Sequence, residues 1–291
     1  MPFIAVGQEN TKDIKIYFED HGSGEALLMI HGYPFSGAAW EKQVLFFLEK
    51  GYRVITYDRR GFGNSSRPAT GYDYETFSAD LHALIEHLEL TDLTLVGHSM
   101  GSGEVVRYLS KYGSQKVKCA VLVSPIPPFL LKTPENKTGV EKKVFEGFEA
   151  AIKKDRYAFI TEFLKNFYNL GILSHGVSEE KLRADFNLAS SSAPVAFFKC
   201  VDTWLTDFRH DLPRIDVPLM VIHGDKDQIL PIDATSKLIP GYVNADLRVI
   251  SGGSHGIPWT HAEEICEMIL QFISSEKTLT RHEGDSLAQL Q

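Results

Sequence analysis

The sequence predicts an α/β fold, a mostly parallel sheet with helices on both faces and a helical segment inserted late in the chain. Three observations carry this. Short β-branched and aliphatic runs alternate with longer amphipathic stretches. The later runs are each followed by Gly, Ser, Pro or Asp, residues that turn the chain at a strand's end. The alternation lapses between Pro128 and Asp211, where the pattern becomes helical and dense in aromatics.

In order along the chain, residues 14–19 alternate in period two and meet 26–31 across His21-Gly-Ser-Gly24, a hairpin turn signal that predicts an antiparallel pair. Strands follow at 53–57, 93–96, 117–123, 219–223 and 247–250. Helices are predicted over 75–88, with Phe77, Leu81, Leu84, Ile85 and Leu88 on one face, and over 103–112 and 261–273. Pro125, Pro127, Pro128 and Pro134 open the lapse, and Pro213 and Pro218 close it. This divides the chain into a core of 1–127 and 213–275, a helical cap of 128–212 and a polar, mobile tail of 276–291. Most cap aromatics (Phe145, Phe148, Tyr157, Phe159, Phe163, Phe167, Tyr168, Phe186, Phe197, Phe198, Trp204) are expected to pack together, with a few lining a pocket.

Composition narrows the function. The 291 residues are 43% hydrophobic, and 30 Lys+Arg against 38 Asp+Glu leave a formal charge of −8. No basic stripe is present to neutralise phosphates, so nucleic acid is not an expected partner. A chain of this length buries roughly three quarters of its unfolded surface and needs no staple. Cys119, Cys200 and Cys266 are too scattered for a disulfide framework or a metal knuckle, which fits a reducing, cytoplasmic setting. The N-terminus lacks a basic region followed by an apolar stretch, and the apolar runs fall far short of the ~20 residues that span a bilayer, so neither secretion nor membrane insertion is expected.

The chemistry is concentrated at strand ends, where ligand sites of such sheets lie. Strand 93–96 runs into Gly97-His98-Ser99-Met100-Gly101 and then a helix, the context a nucleophile elbow requires. So tight a turn admits only glycine at Gly97 and Gly101, and it lifts the serine hydroxyl above the sheet beside a helix N-terminus. A serine hydroxyl needs a base and an acid to orient that base. His255 stands in a glycine-flanked loop after the last strand. Two aspartates compete for the acid. Asp227 occupies the G-x-x-D-x-x-x-P position after strand 219–223, whereas Asp225 fits better as a brace capping backbone amides; this favours Asp227. The chain order Ser, Asp, His is that of the α/β-hydrolases. His31, His98 and His223 read as loop ties; His82, His87, His175, His210, His261 and His282 read as helix or surface residues. An oxyanion would need the Met100 amide and a second N–H from the loop His31-Gly32-Tyr33-Pro34; Tyr33 supplies one and Pro34 has none.

Together, Gly97-His-Ser-Met-Gly101, Tyr57-Asp-Arg-Arg-Gly-Phe-Gly63, His31-Gly-Tyr-Pro34, Thr206-Asp-Phe-Arg209 with Asp211-Leu-Pro, His223-Gly-Asp225 and His255-Gly resemble the cofactor-free haloperoxidases and their arylesterase relatives over about residues 1–275. The resemblance implies an eight-stranded α/β-hydrolase core, a helical cap, a Ser99-His255-Asp227 triad and an oxyanion hole from Tyr33 and Met100. It also implies perhydrolysis, in which hydrogen peroxide replaces water and a released peracid oxidises halide. Pro34 follows the oxyanion residue, as in relatives that resemble the better perhydrolases; it equally serves to stiffen the loop. Ser102 departs from the pattern, where many relatives carry glycine, and is expected to change only local packing.

Gly61-Phe-Gly63-Asn-Ser-Ser lacks the third glycine of a dinucleotide loop, and residues 97–103 lack the Lys-Ser/Thr of a P-loop, so no nucleotide site is expected. HExxH and clustered metal ligands are absent, so neither metal nor cofactor is implied. Ser99 in place of aspartate excludes a dehalogenase or epoxide hydrolase. The expected function is hydrolysis of small carboxylic esters through an acyl-enzyme with perhydrolase side activity. Lactonase, γ-lactamase and carbon–carbon hydrolase activities share the triad, a ligand receptor on this fold is the other class, and a homo-oligomer is compatible with each.

Overall fold

A computed structural model describes residues 2–171 and 176–288. Eight strands form one sheet: β1 (Phe3–Glu9), β2 (Lys12–His21), β3 (Ala26–Ile30), β4 (Arg53–Tyr57), β5 (Leu93–His98), β6 (Val117–Val123), β7 (Leu219–Gly224) and β8 (Asp246–Ile250). Their order is β1-β2-β4-β3-β5-β6-β7-β8. The β1/β2 and β2/β4 pairs are antiparallel and every other pair is parallel.

The predicted hairpin between residues 14–19 and 26–31 does not form. β2 pairs with β1 and β4, and β4 separates it from β3, which pairs in parallel with β4 and β5. Burial explains the outcome. All of β3 is buried, as befits a central parallel strand with both faces covered, whereas β2 buries only alternate residues and suits an outer position. The Gly-rich turn therefore redirects the chain without making a two-strand ribbon.

The sheet's faces carry separate cores because neighbouring side chains on a strand point opposite ways. Leu27, Met29, Val96, Val121 and Ile222 pack with Phe47 of α1 (Glu41–Glu49) and with Ile265, Ile269 and Ile273 of α8 (Ala262–Ala288). Leu28, Ile30, Leu95, Leu122 and Val221 pack beneath Phe77, Leu81 and Leu84 of α2 (Tyr74–His87) and Val105, Val106 and Leu109 of α3 (Met100–Tyr112). Asp73 caps α2, its carboxylate accepting from Thr76 N at 2.8 Å.

Between β6 and β7 lie α4 (Lys142–Phe167), α5 (Glu179–Ser191) and α6 (Pro194–Thr203), followed after β8 by the short α7 (Ile257–Thr260). β1 and α1 were not expected from the sequence, and α3 begins at Met100, directly after the serine, where a helix from 103 was expected. α8 continues to Ala288, so residues 276–288 are helical where an unpatterned tail was expected; 289–291 lie outside the described residues. No helix among the described residues is long and apolar enough to cross a membrane.

Candidate active site

Three strand ends bring the proposed chemistry together. Ser99 follows β5 directly and is the residue before α3, Asp227 lies in the loop after β7, and His255 lies in the loop after β8. His255 Nε2 is 2.9 Å from Ser99 Oγ, and His255 Nδ1 is 2.6 Å from Asp227 Oδ2. Imidazole and carboxylate are fully buried.

Ser99 has φ +52° and ψ −118° and makes no side-chain capping bond, although serine before a helix ordinarily caps it. The unusual backbone frees its hydroxyl for His255. Glycine is required beside it by close approach. A Cβ on Gly97 would sit 2.6 Å from the Gly101 carbonyl oxygen, and one on Gly101 would run into that of Ile30. Gly32 is equally constrained, since a Cβ there would lie 2.8 Å from His98 Nδ1 and 3.1 Å from Ser99 Cβ. This packing sets the loop of Tyr33 and Pro34 against Ser99. Met100 is the first residue of α3, so its N–H has no intrahelical acceptor.

Burial by itself would raise the pKa of Asp227, but the charge of His255 and hydrogen bonds from both His223 and His255 outweigh it and hold the carboxyl well below the usual range. Its Oδ1 accepts from Ile229 N and Leu230 N at 2.8 Å each. Asp225 lies elsewhere: it accepts from Gly252 N at 2.7 Å, the bracing role expected of it. His98 Nε2–H donates to the His255 carbonyl at 3.1 Å, and burial, then the neighbouring His255, lowers its pKa to about 3. His31 Nδ1–H donates to Gly32 O at 2.8 Å while its Nε2 accepts from Arg59 N at 3.0 Å. Both are loop ties, as expected.

Several partners escaped the sequence reading. Arg59 bonds Glu104 of α3 and donates from Nη2 to His31 O at 2.7 Å, joining the elbow helix to the Tyr33 loop. Their signal was two charges in stretches otherwise reading as buried. Ser102 does more than pack: its hydroxyl donates to the Ser99 carbonyl at 2.5 Å and accepts from Ile126 N at 3.1 Å. His223 touches Asp227 itself, Nε2 to Oδ2, at 3.0 Å. Of the remaining histidines, His82 stacks on Tyr112, His87 meets Phe18, His261 bonds Thr260 and His210 is exposed. His175 and the side chain of His282 lie outside the described residues.

Above Ser99 opens a cavity of about 280 Å³ reaching Tyr33, with Phe145, Phe148, Phe159, Phe163 and Trp204 from the inserted helices and their flank among its walls and Leu230 on the core side. Of the other aromatics, Phe167 sets its ring edge against His255 at 5.1 Å and Tyr168 donates to Asp185 at 2.6 Å, whereas Tyr157, expected to pack in the cap, is exposed. The Tyr33 hydroxyl donates to the Phe197 carbonyl of α6 at 3.0 Å. No group of three or more His, Cys, Asp or Glu among the described residues is arranged to hold a metal ion.

The family model of the alpha/beta hydrolase fold matches residues 25–262. The chain is an α/β-hydrolase. Within the family this α/β-hydrolase belongs with the non-heme haloperoxidases. It is 52% identical to a Synechocystis protein provisionally named a non-heme chloroperoxidase, over 94% of this chain and 100% of that one. It is 34% identical to a bifunctional esterase/perhydrolase of Acinetobacter calcoaceticus, over 93% of this chain and 100% of that one. Among solved structures, a bromoperoxidase of Bacillus anthracis superposes with a TM-score of 0.90 at 42% identity, covering 94% of this hydrolase and 99% of the other.

Proposed function

We propose that this chain hydrolyses small carboxylic esters through an acyl-enzyme on Ser99 and transfers the acyl group to hydrogen peroxide as a side reaction. The observation that carries the reading is a hydrogen-bonded Ser99-His255-Asp227 series opening onto an apolar cavity. His255 Nε2 takes the hydroxyl proton as Ser99 Oγ attacks the ester carbonyl, and Asp227 stabilises the imidazolium. The N–H groups of Met100 and Tyr33 receive the oxyanion. The proton then passes from His255 to the leaving alkoxide. Water, deprotonated by His255, releases the acid. Hydrogen peroxide in its place releases a peracid and restores the serine, and the peracid oxidises halide away from the site.

Residues 128–212 act in this reading as a cap that selects the acyl group, over a core of 1–127 and 213–275. The relative from Acinetobacter supports pairing the two activities, being named for both. Three free, buried cysteines support a cytoplasmic setting.

The test is p-nitrophenyl ester hydrolysis, run beside acetate plus hydrogen peroxide with a halide-trapping dye, for wild type and Ser99→Ala. Serine-dependent turnover in both assays is expected, with Ser99→Ala at least about 10⁴-fold slower and still folded. Hydrolysis without halogenation would remove the perhydrolase half, and an active Ser99→Ala would remove the nucleophile.

A further inference from the structure

Asp227 holds two imidazoles on one oxygen. Its Oδ2 lies 2.6 Å from His255 Nδ1 and 3.0 Å from His223 Nε2, and all three side chains are fully buried. Triad chemistry accounts for His255 alone. With Ile229 N and Leu230 N on Oδ1, four donors meet the roughly four lone-pair sites of a carboxylate, so Asp227 is saturated.

The tautomer of His223 follows from its other partners. Nε2 is also 2.9 Å from the Leu230 carbonyl, which only accepts, so Nε2 carries the proton. Nδ1, 2.6 Å from Ser236 Oγ, is hydrogen-bonded to that hydroxyl, and in the neutral ring it is the acceptor. His223 Nε2–H is thereby fixed as a donor aimed between Asp227 and Leu230. A hydroxyl bonded to Nδ1 polarises the ring and strengthens the Nε2–H as a donor.

We propose that His223 is a positioning residue for the triad acid: it fixes the direction of Asp227 Oδ2 and takes part of that oxygen's electron density, so that His255 releases its proton more readily and acts as base at lower pH. The proposal rests on the triad reading above. Other titratable groups near the triad leave this role to His223. His98 from β5 stays neutral, with its pKa at about 3 from burial and from His255. Tyr33 is held protonated by burial, and the hydroxyl of Tyr168, after α4, is committed to Asp185. Glu162, on the α4 wall of the cavity, is exposed, as is Asp225, which is tied to Gly252. The ring that α4 sets on His255 is Phe167, which does not titrate.

The experiment is the pH profile of kcat/KM for p-nitrophenyl ester hydrolysis, together with direct ¹⁵N NMR titration of His255, in wild type, His223→Met, His223→Gln and Ser236→Ala. Removing the donor in His223→Met leaves more charge on Oδ2, favours the imidazolium and should move the His255 ionisation upward by about 0.5–1 unit. Activity at acidic pH then falls about 3–10-fold more than on the alkaline plateau. His223→Gln, which restores an N–H, should return the wild-type ionisation, and Ser236→Ala should shift it in the same direction by less. An equal loss at every pH with an unmoved NMR titration would make His223 merely structural and overturn the proposal. If His223→Met does not fold, an unmoved titration in Ser236→Ala overturns it. Absence of serine-dependent turnover in wild type would instead count against the esterase reading, and the NMR titration would still decide the role of His223.

Discussion

The elbow and the inserted helices form opposite sides of the site by opposite means. Around Ser99 the geometry is set by main chain pressed against main chain, where one Cβ on Gly97 or Gly101 would not fit. Across the cavity the walls are rings, and Phe148 meets Phe145, Phe159 and Trp204 at centroid separations of 5.7–6.2 Å. A main-chain turn holds reacting atoms to fractions of an ångström and tolerates little change. A wall of side chains can be reshaped one ring at a time. Rate should therefore depend on the first region and acyl preference on the second.

The sharpest way to break this division is at the acid. Asp227→Asn should lower kcat by about 10⁴-fold with KM little changed, while Asp225→Asn, whose partner is a distant loop amide, should stay within about tenfold of wild type. Steady-state kinetics on one ester decide it, and reversed magnitudes would mean the acid is Asp225. Next, Phe148→Ala should raise kcat/KM for a hexanoyl ester relative to an acetyl ester by about tenfold, because it lengthens the cavity without touching the elbow. An equal change for both esters would show that the two regions are not separable. The smallest effect concerns His98. Between pH 6.5 and about 3 its unfolded form binds a proton that its folded form refuses, so stability falls as pH drops through that window. A glutamine side chain in its place could keep the bond to the His255 carbonyl, so His98→Gln should flatten, in part, the fall in melting temperature from pH 6.5 to 4. An unchanged slope would place the acid sensitivity in other groups, His31 first.

Local signals were the legible ones. Gly97-His-Ser-Met-Gly101 between an apolar run and a helix singled out Ser99, and chain order with strand-end position singled out His255 and Asp227, three side chains that lie in one hydrogen-bonded series. Pairing across the sheet was not legible: residues 22–25 carry good hairpin chemistry, yet β4, not β3, takes the place beside β2, and β3 and β4 are alike in being almost wholly buried, so no local pattern separates them. β1 went unread because a register shift between Ala5 and Gly7 breaks its alternation within seven residues. His223 read as a loop tie because nothing in His-Gly-Asp-Lys-Asp distinguishes a histidine that holds a loop from one that bonds the Asp227 carboxylate. Ser102 was underestimated for a related reason, since its hydrogen bonds run back to the Ser99 carbonyl and across to Ile126.

The backbone of Ser99, at φ +52° and ψ −118°, lies outside even the left-handed helical region, where only glycine is comfortable. Folding carries that strain whether or not a substrate ever arrives, and glycine at this position would relieve it only by losing the hydroxyl's bond to His255. Selection for activity and selection for persistence therefore pull on a single residue. In the proposed reaction the strain and the chemistry rest on one side chain, so a substitution that relieves the first removes the second.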